Sequence, residues 1–167
     1  MKPKPISPPD SLYLSAAEGW LELGDAREAG LELENIKTKL RLHPDVLEVK
    51  WRIHAHTKNW LRCREIAQAL IRAVPERATG WIDLSFALHE LKQTDQAFKN
   101  LLSVATRFPD QPLIPYNLAC YTCQLGRLWE ARQWLTQAME VGNGPKIKNQ
   151  ALEDIDLKPL WTHIADL

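Results

Sequence analysis

LGDAREAGLEL (residues 23–33) and LGRLWEARQWL (residues 125–135) decide how the chain is organised. Each runs Leu-Gly, a polar turn, Glu-Ala, then a leucine four residues on. Their alanines, Ala29 and Ala131, lie 102 residues apart, which is three steps of 34. The intermediate steps fall on Cys63 and Ala97, so all four positions hold a small residue. Four residues beyond each stand Leu33, Ala67, Leu101 and Leu135; seven beyond stand Ile36, Leu70, Val104 and Ala138. Five before each are Gly24, Lys58, Lys92 and Gly126, the turn positions. Pro75 and Pro109 share the same spacing. A period in this range marks a repeat architecture and is settled before any motif is weighed.

Within each period, apolar residues recur at three- and four-residue intervals in two halves separated by a short polar or glycine break. That pattern predicts a helical hairpin. In the third period it predicts one helix over WIDLSFAL (81–88) and another over DQAFKNLLSVATRF (95–108), the second stopping at Pro109. The small residue at Ala29, Cys63, Ala97 and Ala131 lets the two helices of a hairpin approach closely.

The totals narrow the function. The 167 residues carry 21 basic and 21 acidic side chains, so no basic excess points to nucleic acid or an anionic membrane surface. No apolar run approaches membrane-spanning length. The opening MKPKPISPPD has no apolar stretch after its lysines and is not a signal peptide; four prolines make residues 1–9 a disordered or extended tail. Three cysteines without an export signal suit reduced thiols and a cytoplasmic location. Glycine-rich phosphate loops, GxSxG and HExxH are all missing from the sequence, which argues against an enzyme.

These spacings resemble the tetratricopeptide repeat (TPR) family, over four units at 10–43, 44–77, 78–111 and 112–145. The fourth unit shows the likeness best, with Leu118, Ala119, Gly126, Ala131, Leu135 and Ala138 at the family's signature positions. The third has Trp81, Leu84, Ala97, Val104 and Pro109; the first has Tyr13, Ala17, Trp20, Gly24, Asp25 and Ala29. The second departs most. Lys50 stands where the family has an apolar residue, Trp51 where it has a small one, and Cys63 replaces the alanine. None of the four has the family's aromatic residue four after that alanine. The resemblance implies an all-α, right-handed α-solenoid with terminal caps. The KIKNQALEDIDLKPLWTHIADL ending (146–167) resembles bacterial repeat proteins of this type, in which its Asp-x-Asp-Leu-x-Pro-Leu-Trp pattern recurs, and that resemblance implies a bacterial source. That ending is expected to be a helical cap, with Leu152, Leu160 and Trp161 packing on the fourth unit.

In the family the first helix of each unit lines a concave groove. Carried over, this implies a groove of Leu14, Glu18 and Leu21, then Glu48, Arg52 and Ala55 with His56 at the rim, then Ile82, Phe86 and His89, then Tyr116, Cys120 and Cys123. Its mixed apolar and charged character suits an extended peptide or a partner helix, so the expected function is a non-enzymatic interaction module for an unidentified protein or peptide. Leu14, Glu18, Glu48, Arg52 and Asn117 do not form the family's carboxylate clamp, because the two glutamates would repel an acidic tail. Arg52 is also expected to pair with Glu48 one turn away. The alternative is a thiol-redox or metal site at the CxxC of Cys120 and Cys123, with His89 as the one further ligand. Against it stand the lack of a second CxxC and of the strand that precedes a redox motif. No cofactor or metal is expected. Trp60 or Trp129, if exposed on the convex side, would support homodimerisation.

Overall fold

The computed structural model describes residues 3–165. The described chain is all-α: α1 (Asp10–Glu22), α2 (Ala26–Glu34), α3 (Pro44–His56), α4 (Trp60–Ala73), α5 (Ala78–Glu90), α6 (Thr94–Leu102), α7 (Leu113–Gln124), α8 (Leu128–Val141), α9 (Gly144–Glu153) and α10 (Trp161–Ala165). It divides into two compact units, residues 1–87 and 88–167, with the division inside α5.

The tight breaks between paired helices form where the register places them. Gly24, Lys58, Lys92 and Gly126 all have positive φ, of 82°, 55°, 64° and 76°. A left-handed residue ends the first helix and turns the chain back. Glycine adopts it without a Cβ clash, and the two lysines hold it at a cost of about 1–2 kcal/mol each. The following helix is then started by a side-chain cap in two cases. Asp25 Oδ1 accepts from the Glu28 amide at 3.0 Å, and Asn59 Oδ1 accepts from the Arg62 amide at 3.3 Å.

In the first unit α1 pairs with α2 and α3 with α4, while α1 and α2 both lie against α3. Ala17, Ala29, Leu33, Ile36, Val46 and Val49 form one core, and Leu47, Leu70 and Val74 a second. Asp10 ties the start of α1 to the α2–α3 connection: its Oδ1 accepts from the Lys37 amide at 2.8 Å and its Oδ2 pairs with Lys37 Nζ at 3.2 Å. The opening stretch, expected to be extended or disordered, runs without regular secondary structure over residues 3–7. Ile6 packs against the first core and the Lys4 carbonyl lies 2.9 Å from His43 Nε2, because one apolar residue among the prolines has a surface to bury on.

In the second unit α6 and α8 pack on α7, and α9 packs on α8. α6 is shorter than the 95–108 helix read from periodicity. It ends at Leu102, and a separate 3-10 turn covers Ala105–Arg107. Ser103 Oγ donates to the Asn100 carbonyl at 2.6 Å, the local bond by which serine competes with the helical ladder. The ending also differs in detail. A 3-10 segment (Ile155–Leu160) precedes α10, because Pro159 lies inside it and cannot continue an α-helical ladder. Ile147, Ala151, Leu157, Leu160 and Ile164 are buried in this ending, whereas Leu152 and Trp161 stay half-buried. Trp161 Nε1 donates to the carbonyls of Ala151 and Asp154 at 3.1 and 3.2 Å.

Candidate functional site

The residues expected to line a groove meet two fates. In the first unit the expected first-helix positions fall on α1, α3 and the part of α5 up to Ala87. Leu14 and Leu21 are half-buried and pack against the core, while Glu18 is exposed. Glu48 does not pair with Arg52. Its Oε1 accepts from Arg77 Nη1 at 3.1 Å, and the same nitrogen reaches Asp45 Oδ1 at 2.7 Å. Arg77 wins because it joins two carboxylates at once. Arg52 and His56 are left exposed.

Ile82 is half-buried on α5, and Phe86 one turn on is 37 % exposed. The Phe86 ring is fixed edge-on by two tryptophans, Trp51 at 6.2 Å and Trp60 at 5.6 Å between centroids. Such T-shaped pairs hold an aromatic ring in one orientation. This explains Trp51 at a register position that otherwise takes a small residue. Trp60 is accordingly engaged rather than free, and Trp129 on α8, 74 % exposed, is the open tryptophan on a second helix. Asp83, between Ile82 and Phe86, was not singled out from sequence. Burial, reinforced by Glu48, pushes its carboxyl up to about 8.

In the second unit the corresponding positions are closed by the chain itself. Tyr116 OH donates to Asp154 Oδ2 at 2.8 Å, and Cys120 Sγ approaches the same oxygen at 3.6 Å. His89 Nε2 lies 3.0 Å from Asp156 Oδ2 and its Nδ1 3.0 Å from Thr94 Oγ1, with the ring tilted against Tyr121 at 5.0 Å. Gln124 Nε2 donates to the Asp156 carbonyl at 2.8 Å. Tyr116, His89, Cys120 and Cys123 are all buried. The expectation that they form an open binding surface is therefore corrected: the segment Asp154–Leu157 lies over them. Asp154 and Asp156 were visible in sequence only as a turn, although their Asp-x-Asp-Leu pattern was the available signal.

The thiols follow from this burial. Burial, with Asp154 and Asp156 next, raises Cys120 well above the ordinary thiol range. Burial also lifts Cys123 to about 11, with Asp156 and Asp154 next, and Cys63 to about 11, with Asp83 next. A reactive or metal-binding cysteine needs the opposite shift, toward the thiolate. Among the described residues no group of three or more His, Cys, Asp and Glu side chains is placed to hold a metal ion. No described helix is long and apolar enough to cross a membrane.

No protein-family model matches the chain, and no curated protein matches it. Solved structures do. MamA from RS-1, as an ArsTM double mutant, superposes with a TM-score of 0.68 at 17 % identity, over 80 % of this chain and 75 % of that one. MamA from AMB-1 (C2221) superposes with a TM-score of 0.64 at 18 % identity, over 95 % of this chain and 98 % of that one. MamA is a tetratricopeptide-repeat protein. The chain has the tetratricopeptide-repeat fold. In that repeat fold the small-residue column of Ala29, Cys63, Ala97 and Ala131 has no exposed surface at any of its four positions, as close helix pairing requires.

Proposed function

We propose that the chain is a non-enzymatic protein-interaction module that binds an extended peptide or partner helix along the first helices of its first unit. The observation that supports this is Phe86. A large aromatic ring is partly exposed yet held in place by Trp51 and Trp60, with Ile82 and the acidic Asp83 beside it. Rigid, half-open aromatic residues are the usual anchors of protein interfaces. Glu18, Arg52 and His56 are exposed polar residues on the first helices α1 and α3. The equivalent positions of the second unit are engaged by residues 154–157, so the first unit is the half that offers a free face. The thiol-redox alternative is disfavoured, because the CxxC cysteines are buried and their thiols are shifted away from ionisation. A cytoplasmic setting accords with three unpaired cysteines.

A photo-crosslinking side chain at position 86, and another at 129 as control, tests the reading. Crosslinks to one partner from position 86, lost in the folded Phe86→Ala/Glu18→Lys background, support it. The same partner captured from position 129 alone moves binding to the outer helices and overturns it.

A further inference from the structure

Two basic residues on α3 break the repeat in a coherent way. The register equivalents of Lys50 are Ala16, Leu84 and Leu118, and those of His54 are Trp20, Leu88 and Thr122. Lys50 and His54 are one helical turn apart, so they share a face. Both are half-buried. They line two adjoining clefts at once. One, of about 250 Å³, lies between α2 and α3 and is bounded by Leu33, Glu34, Arg41 and Ile53. The other, of about 370 Å³, lies between α3 and α4 and is bounded by Leu47, Arg62, Glu65 and Ile66.

Glu34 and Glu65 line the clefts, but neither forms an ion pair with Lys50. Lys50 Nζ donates to the Arg41 carbonyl at 2.9 Å, and the Arg41 guanidinium donates to the carbonyls of Glu34 and Ile36 at 2.9 and 3.3 Å. Glu65 is engaged with Arg62 at 2.6 Å. Among the described residues no carboxylate pairs with Lys50, Arg41 or His54. Burial and then Arg41 lower the Lys50 ammonium, and burial and then Arg62 and Lys50 lower the His54 imidazole. A partly desolvated ammonium, and an imidazole whose charged form is disfavoured by its surroundings, both gain from a bound anion. An apolar residue at position 50, as in the other three units, would avoid that desolvation.

We propose that the two clefts form one binding site for an organic anion in which a carboxylate is joined to a short apolar chain. The carboxylate sits between Lys50 and His54, and the chain lies along Leu47 and Ile66 in the larger cleft. Charge complementarity selects a singly charged head, because Lys50 is the cation that faces both clefts without a carboxylate partner and the His54 imidazole beside it can donate to the bound group. The apolar walls select the chain over a bare inorganic ion. This site faces α2 and α4, the second helices of their hairpins, and is separate from the Phe86 face.

Octanoate is the probe, titrated into the full chain while the His54 ring resonances are followed by NMR and the heat is measured by calorimetry. Octanol supplies the chain without the charge, and inorganic phosphate the charge without the chain. Octanoate is expected to shift His54 and raise its pKa, with octanol and phosphate binding at least about tenfold more weakly. Lys50→Leu restores the residue type of the other repeats, so it should stay folded and lose octanoate binding by about tenfold or more. His54→Gln is the second variant, expected to weaken binding several-fold. Three results would overturn the proposal: no His54 shift with octanoate, undiminished binding in both variants, or phosphate binding as tightly as octanoate.

Discussion

Replacing Asp154 with alanine is the sharpest perturbation of the closed half of the molecule. One carboxylate holds three groups: Tyr116 OH at 2.8 Å, Cys120 Sγ at 3.6 Å, and, through its other oxygen, the Asp156 amide at 3.0 Å that starts the 3-10 segment. In Asp154→Ala the buried Tyr116 hydroxyl loses its acceptor, which costs about 1–3 kcal/mol. Loss of the amide cap adds about 1 kcal/mol. The thiol contact is long and adds little. The total is about 2–4 kcal/mol, or about 4–16 °C in melting temperature for a chain of this size. Amide exchange in α7 and in residues 155–165 should speed up by about 30- to 1000-fold where it proceeds by opening of this segment. Cys120 and Cys123 should become reactive to a thiol probe in step, with Cys63 as the internal reference. Asp154→Asn keeps one acceptor oxygen and should lose about half as much. A variant within about 0.5 kcal/mol of the parent, with unchanged exchange in α7, would refute the view that Asp154 fastens the segment to the helix.

Other consequences follow from single residues. Lys58→Gly and Lys92→Gly relieve a left-handed backbone at φ 55° and 64°, and each should stabilise the chain by about 1 kcal/mol in urea unfolding. Gly142→Ala should destabilise by about 1–3 kcal/mol in the same assay, because an added Cβ would meet Ile147 Cδ1 at 2.6 Å and Pro112 Cβ at 2.9 Å. Asp83, at about 8 in the folded chain against an ordinary 3.8, binds a proton on folding between those values. The folded state then holds more protons than the unfolded one, so this residue lowers stability as pH rises from about 4 to about 8, and not beyond. Asp83→Asn should flatten that part of the stability–pH curve and leave the variant more stable than the parent at pH 8.

The hairpins and their turns were legible because both depend on local chemistry repeated at a fixed interval. Gly24 and Gly126 announced the left-handed turn, and the 34-residue step carried it to Lys58 and Lys92, which no lysine propensity would suggest. The buried columns were legible for the same reason. Element ends were less so: Ser103 ends α6 with a local side-chain bond, and Pro159 lies in a 3-10 rather than an α-helical segment, effects that a periodic pattern does not register. Partner choice was the least legible. Glu48 pairs with Arg77, 29 positions away, rather than with Arg52 one turn along. Helical spacing shows only which neighbours are within reach, not which distant side chain the fold delivers.

The CxxC shows why register alone does not locate function. Cys120 and Cys123 occupy first-helix positions that would line a ligand surface, and their small size leaves room above the helix. The chain fills that room itself, with Asp154 and Asp156 engaging Cys120, Tyr116, Gln124 and His89. The fourth repeat fits the pattern best and yet its expected groove positions Tyr116, Cys120 and Cys123 are covered, because a regular helix surface is also the best seat for a cap. The second repeat (44–77) fits worst, and there the departures are side chains that a purely structural repeat has no use for. Trp51 props the exposed Phe86, while Lys50 and His54 bring an ammonium and an imidazole, neither with a carboxylate partner, to two clefts. In a repeat protein, regular positions are occupied with holding neighbours together. Residues that break the pattern and remain partly exposed are the ones free to meet something else.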